Sequence, residues 1–430
     1  MADAPQNTTN PGFDPSINLD RLRQDFLDLA VIGRSEENQG IYRLAFSDED
    51  MAGRKWLLRR IEEAGGQARL DEVGNVIGRW FERENTAAVV LGSHIDSVAA
   101  GGIFDGTLGV LSGLECVRVL HDRGIESARP IELVAFADEE GRFGGMFGAQ
   151  AYAGKLTPDF VETAESVNGV RLADCMREHG LDPQRATIAM RDPNTLHAFL
   201  ELHIEQGPVL EAESRPLGIV EGISGVFKWF VRLIGKANHA GTSPMNMRSD
   251  AFMGLADFAH EISRILEEDG TQASRLTVGK VELKPGHPHT IPGEVDFSLV
   301  GRDMSEEVMR DLAHSCQKVL SSIARKHRLR FEYEELSWLE PRACHPEIIE
   351  AFEKTARRLG IDPLHMPSGA GHDTQFMTEV TRAGMIFVPS VGGVSHAPDE
   401  WTNWNDVETG ANVLLHTLMH FMQEEDSSNS

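Results

Sequence analysis

Four cysteines in 430 residues leave little for covalent cross-linking. Cys116, Cys175, Cys316 and Cys344 form no C-x-x-C pair and read as buried or incidental thiols in a reducing compartment, which sets the expectation of a cytoplasmic chain. Basic residues are also scarce. The 41 Lys and Arg face 67 Asp and Glu, so the formal net charge is 41 − 67 = −26. Nucleic acid needs Lys/Arg to neutralise its phosphates, and no such partner is expected. The acidic excess reads mainly as a solvated surface, with a smaller part available to hold metal. No apolar run approaches the ~20 residues that cross a bilayer, so no membrane partner is expected. Residues 1–18 are polar, lack the apolar core of a signal peptide and read as a disordered tail. Internal repeats and low-complexity blocks are absent.

What remains is ordinary for a soluble globular chain, with 41% apolar and 25% charged residues. At this length two domains are the expectation. One stretch organises the reading. The apolar run Ala87-Ala88-Val89-Val90-Leu91 reads as a buried strand. It ends in Gly92-Ser93-His94-Ile95-Asp96, and a Gly-rich loop then carries Asp105 before a helical pattern resumes at Thr107. Side chains at the C-terminal edge of strands in an α/β sheet are where such folds place their sites. Imidazole with carboxylate suits a borderline divalent metal.

Two more apolar strands end the same way. Pro130–Ala137 runs into Asp138-Glu139-Glu140-Gly141, and Ala198–Leu202 into His203-Ile204-Glu205-Gln206-Gly207. Consecutive acids read either as a solvated turn or as one metal-held carboxylate beside a free proton carrier. A lone histidine would read as a satisfied core residue. Three strands ending in metal-type side chains favour a shared site. Strand and helix patterns alternate through this region, which indicates a largely parallel sheet. Near Ala212 the character changes to strand–helix–strand–strand–helix with alternating strands, the pattern of a small α+β insert. The first pattern returns later, with a helix from Pro346, a strand at Met385–Val388, Ser395-His396, and a closing helix over Asp406–Phe421. The expected architecture is therefore α/β: a catalytic domain over 19–212 and 331–430 with a largely parallel central sheet, and an inserted α+β domain over 213–330.

Seven blocks occur in order: Gly92–Asp96, Gly102–Gly106, Glu139–Gly141, His203–Gly207, Asn238-His239-Ala240-Gly241-Thr242-Ser243-Pro244-Met245, Gly369–Asp373 and Ser395-His396. In these the chain resembles the M20-type binuclear metallohydrolases, and within them the hydantoinase/carbamoylase branch, over roughly residues 20–422. The resemblance implies two divalent ions, Zn2+ or Mn2+. His94, Asp105 and His203 would hold one. Asp105 would bridge to a second, completed by Glu140 and His396. Asp96 would orient the His94 imidazole. Glu139 would be the general acid/base, and His239 the donor to the developing oxyanion. The insert would then serve as lid and dimer surface of a homodimer.

Gln206, Arg302 and His372 match substrate-contact positions of the resembled family. His289 departs from it, standing where an asparagine commonly helps hold a substrate carboxylate. Arg248 and Asp250 read as helix capping and pairing. The resulting expectation is hydrolysis of a C–N bond in a small linear ureido or amide substrate, first an N-carbamoyl-L-amino acid. Allantoate or an N-acyl amino acid is the alternative within the class. A catalytically inactive binding homologue is the alternative outside it.

Overall fold

The buried strands expected around residues 87–91, 130–137 and 198–202 form in the computed structural model, which describes residues 14–424. Residues 1–13 and 425–430, on which part of the tail expectations fell, lie outside the described residues. The tail expected through residue 18 ends earlier. Ile17 is buried, and the Asn18 side chain caps the helix Leu19–Ala30. The chain divides into two compact units. One runs to Ile219 and is completed by His345–Leu364 and the chain from Glu379; the other is Val220–Cys344 with His365–Thr378.

In the first unit the strands lie in the order Gln67–Leu70, Val76–Trp80, Ile131–Phe136, Ala88–His94, Leu196–Ile204, Arg382–Val388. The last four are parallel, with Leu91 opposite both Leu133 and Leu200, and Ile386 opposite Leu202. The first two add on antiparallel. Every residue of Ala88–His94 and Ile131–Phe136 is buried, as parallel strands covered on both faces require. The helices Thr107–Asp122, Pro346–Arg358 and Trp404–Phe421 supply Leu111, Phe352 and Leu414 to the same apolar cluster. Four neighbouring parallel strands thus release their chains at one edge, the α/β expectation realised.

The second unit runs strand–helix–strand–strand–helix–strand over Gly225–Ile234, Ala251–Asp269, Arg275–Lys284, Glu294–Asp303, Glu306–His327 and Arg330–Leu339. Its sheet order is last, first, third, second, antiparallel throughout. Gly225–Ile234 buries Phe227, Trp229, Val231 and Leu233 at every second position. That period belongs to a sheet covered on one face, here by Leu255, Phe258, Leu312 and Leu320 of the two helices. The unit does not stop at the expected residue 330, because Arg330–Leu339 pairs along Gly225–Ile234. It also takes in His365–Thr378, where no change in composition marks a boundary. The long helix begins at Ala251 and not Arg248. Asp250 caps it, accepting from the Phe252 and Met253 N–H groups at 3.1 and 3.4 Å.

Candidate metal centre

Each of the four parallel strands leads into or carries a residue of the site. His94 is the last residue of its strand; Glu139 and Glu140 follow Ile131–Phe136; His203 sits next to the end of Leu196–Ile204, with Gln206 just beyond; His396 follows Arg382–Val388. Asp105 comes from the loop between the His94 strand and the helix Thr107–Asp122. The structure brings these side chains together in two groups that share Asp105: His94–Asp105–His203 and Asp105–Glu140–His396, the ligand atoms of each lying within 4.8 Å of one another. Asp105 Oδ1 is 3.6 Å from His94 Nε2 and 3.3 Å from His203 Nε2, while Oδ2 is 3.4 Å from His396 Nε2. Glu140 Oε2 lies 3.2 Å from His396 Nε2. Glu139 belongs to neither group and places Oε2 3.5 Å from His94 Nε2.

The backbone bends sharply to present these groups. Asp138, Gln206 and His396 have φ of 52°, 57° and 55°, a left-handed conformation that costs a residue with a Cβ roughly 1–3 kcal/mol. Such strain clusters at functional sites. Gly106, at φ 65°, has a different reason: a Cβ there would fall 2.3 Å from the His94 ring.

Hydrogen bonds set the ring orientations. His94 Nδ1 faces the Asp96 carbonyl at 3.1 Å, and His203 Nδ1 the Ile204 carbonyl at 2.9 Å. Each carbonyl takes the ring proton, leaving Nε2 to face Asp105. The Asp96 carboxylate was expected to orient His94, but its Oδ1 is 3.8 Å from Nδ1. It accepts instead from the Glu139 and Glu140 N–H groups at 3.3 and 3.2 Å, and so aims the two acids.

The charge balance fits divalent cations. Burial, reinforced by the Asp105 and Asp96 charges, holds Glu140 well above the usual carboxylate range. Burial and Asp50 push Asp96 up to about 7 against the pull of Arg54. Burial pushes His94 down to about 4, so its ring is neutral. Burial also disfavours charge on His203, but the hydrogen bond and charge of Asp105, the Glu201 charge and the Ile204 carbonyl together outweigh this and carry it up to about 9. Glu140 Oε1 is buried with no hydrogen-bond partner among the described residues. Crowded carboxylates and imidazoles with an unspent oxygen are what a hard or borderline cation would satisfy, and such an ion inverts these titrations.

The remaining expected residues fall in both units. Gln206 donates Nε2 to Asp105 Oδ2 at 2.8 Å, and its buried Oε1 has no partner among the described residues. In the second unit, His239 and Thr290 are partners in a short antiparallel ladder, so His239 and His289 sit in adjoining segments, and Ala240 donates to the His289 carbonyl. His239 Nδ1 accepts from the Gly241 and Thr242 N–H groups at 3.1 and 3.2 Å. That fixes the proton of the neutral ring on Nε2, making it a donor. Arg248 donates to the Ser243 and Ala240 carbonyls, tying down the loop that carries His239. Arg302 lies half-buried on the strand Glu294–Asp303, where burial alone lowers its pKa. His372 is buried with Nε2 2.9 Å from Ser368 Oγ.

Two residues of the site carry no motif signal of their own. Arg43 is fully buried and donates Nε to the Ile95 carbonyl at 2.9 Å, pinning the peptide between His94 and Asp96. Glu400 is buried and accepts from the Phe104 and Asp105 N–H groups, both at 3.1 Å. Arg43 lies far along the chain from the carbonyl it holds, and Glu400, though close to His396 in sequence, acts on backbone groups of a distant loop.

Residues 90–420 match peptidase family M20/M25/M40. The chain belongs to that family. An N-carbamoyl-L-amino acid amidohydrolase of Geobacillus stearothermophilus is 39% identical over 413 residues, covering 95% of this chain and 100% of that protein. An allantoate amidohydrolase of Escherichia coli K12 is 33% identical over 378 residues, 87% of this chain and 91% of that one. Among solved structures, a hydantoinase/carbamoylase family amidase from Burkholderia multivorans superposes with a TM-score of 0.86 at 35% identity, over 95% of this chain and 99% of that one. The M20 match contains every residue of both three-residue groups, from His94 to His396.

Proposed function

We propose that this M20 protein is a metal-dependent amidohydrolase of linear C–N bonds, converting an N-carbamoyl-L-amino acid and water to the amino acid, CO2 and NH3. The observation that carries the reading is the pair of three-residue groups meeting at Asp105, with Glu139 beside them. Two divalent ions, Zn2+ or Mn2+, suit that donor set: His94, Asp105 and His203 would hold one, and Asp105, Glu140 and His396 the other. Bound ions supply Lewis acidity, polarising the ureido carbonyl and acidifying water.

The chain's own groups do the rest. Glu139, outside both ligand groups, takes a proton from the attacking water at a carboxylate oxygen and returns it to the departing nitrogen. His239, with its proton on Nε2, is the donor suited to the carbonyl oxygen as negative charge develops. Arg302 offers a planar fork to the substrate carboxylate, and Gln206 an amide beside Asp105. His289 and His372 are the remaining candidates for substrate contact. The second unit acts as the lid and dimer surface of a cytoplasmic homodimer.

Allantoate is the second reading, favoured by the Escherichia coli relative. The test is ammonia and amine release from a panel of N-carbamoyl-L-amino acids, N-acetyl amino acids and allantoate, with metal-replete protein. N-carbamoyl compounds are expected to turn over fastest. His289→Asn is expected to reorder the panel. Glu139→Gln should lower kcat by 10²-fold or more, the lower end of what general acid–base groups contribute, with bound metal unchanged. A Glu139→Gln protein with parental turnover refutes the assignment, and a panel led by allantoate selects the second reading.

A further inference from the structure

We propose that Glu400 is a positioning residue that sets the direction of the shared carboxylate, Asp105, by clamping its loop to the loop of His396. The inference rests on the metal reading of the site and concerns how the ligands are held. Asp105 sits in a loop between a strand and a helix, and nothing in its own segment fixes the plane of its carboxylate. Glu400, 295 residues away, does so from the backbone side. Its buried Oε1 accepts both the Phe104 and the Asp105 N–H at 3.1 Å, which fixes the peptide from which the Asp105 side chain springs.

The same carboxylate reaches the other loop. Ser395, the residue before His396, has Oγ 3.1 Å from Glu400 Oε2 and 2.8 Å from Asp105 Oδ2. Ser395 therefore stands between the two acids. Its neighbour His396 has φ 55°, a conformation that needs such anchoring. Glu400 and Ser395 together join the bridging ligand to one terminal ligand of the second group. Partners of ligating carboxylates typically matter 10–100-fold in metal affinity or activity.

Space around the clamp is equally constrained. A Cβ on Gly102 would fall 2.2 Å from Glu400 Oε1. The Gly102 backbone does not need glycine for conformational reasons, since its φ lies outside the left-handed region. Gly102→Ala is therefore a second way to displace Glu400 without touching it.

The Ser395 hydroxyl has one proton and two carboxylate neighbours. An amide in place of the Glu400 carboxylate keeps an oxygen for the two N–H groups and adds an N–H toward Ser395 Oγ. Methionine matches the Glu400 side chain in length but makes none of these bonds, so Glu400→Met should weaken ion binding as Glu400→Ala does while Glu400→Gln does not, an asymmetry that a merely space-filling role would not give. Zn2+ or Mn2+ is titrated calorimetrically into the chelator-stripped full chain, with circular dichroism confirming the fold of each variant. Glu400→Ala and Gly102→Ala should each weaken ion binding 10–100-fold. Glu400→Gln should stay within about threefold of the parent, since the amide preserves the bonds just described.

If Glu400→Ala does not fold, Gly102→Ala and Ser395→Ala carry the test, both expected to weaken binding. Parental affinity in Glu400→Ala or Gly102→Ala overturns the inference and leaves the metal reading intact. So does a loss in Glu400→Gln as large as in Glu400→Ala. A parent chain that takes up no ion overturns the metal reading and the inference with it.

Discussion

At the residue scale the centre depends on a few atoms with no room to move. Gly106 touches the His94 ring closely enough that one added methyl group would fall 2.3 Å from it. Its φ of 65° also disfavours any side chain. Gly106→Ala should therefore swing His94 out of its group and cut activity by more than tenfold, with ion binding weakened in parallel; metal analysis beside kinetics checks this. The ligand set that the family resemblance implies, His94, Asp105, Glu140, His203 and His396, does come together. His94, Glu140 and His203 are legible because each lies at or just beyond the end of an apolar run, where local sequence shows both the strand and the polar break, whereas Asp105 and His396, farther along their loops, are assigned through the family resemblance. Arg43 and Glu400 are not legible in that way. Their partners are backbone groups 52 and 295 residues away, and backbone groups leave no trace in residue type. Asp96 shows a subtler limit. Its place two residues after His94 invites a contact with the ring, but the strand end turns its carboxylate onto the Glu139 and Glu140 N–H groups.

At the scale of elements, periodicity carries most of the information. The continuous apolar runs become fully buried parallel strands, and the alternating ones become the half-covered sheet of the second unit. Capping residues locate helix starts to within a few positions, as at Ser47, Asp250 and Ser305. Pairing order is what periodicity leaves open. Nothing local says that Gly218 and Ile219 join Phe387 and Ile386, or that Arg330–Leu339 lies along the strand that opens the unit. The short helices between Phe147 and Glu178 escape for the same reason: six or seven residues hold too few periods to stand out. The helix Ala251–Asp269 gives the element-scale prediction. Asp250 satisfies two of its first N–H groups, so Asp250→Ala should cost about 1 kcal/mol. Urea unfolding of the two proteins measures it; a difference below a few tenths of a kcal/mol contradicts the capping role.

For the whole molecule, the decisive feature is a cluster of carboxylates suited to cations. Asp96, Asp105, Glu139, Glu140 and Glu400 gather at one edge of the first unit's sheet. Ions at about 100 times their Kd stabilise the folded chain by roughly 2.7 kcal/mol per site. At about 2.1 cal/mol/K of unfolding entropy per residue, a chain of 430 residues shifts by roughly 1 °C per kcal/mol, an upward shift in Tm of about 3 °C for each site filled. Chelation should reverse it, and reductant should not, since all four cysteines are buried and none is in a disulfide. A Tm indifferent to chelator would argue that the cluster carries no metal. The most direct measurement is anomalous diffraction from crystals grown with Mn2+ or Zn2+. The account predicts two peaks flanking the Asp105 carboxylate, one against His94 and His203 and the other against Glu140 and His396. Peaks placed elsewhere, or none in metal-replete crystals, would contradict it.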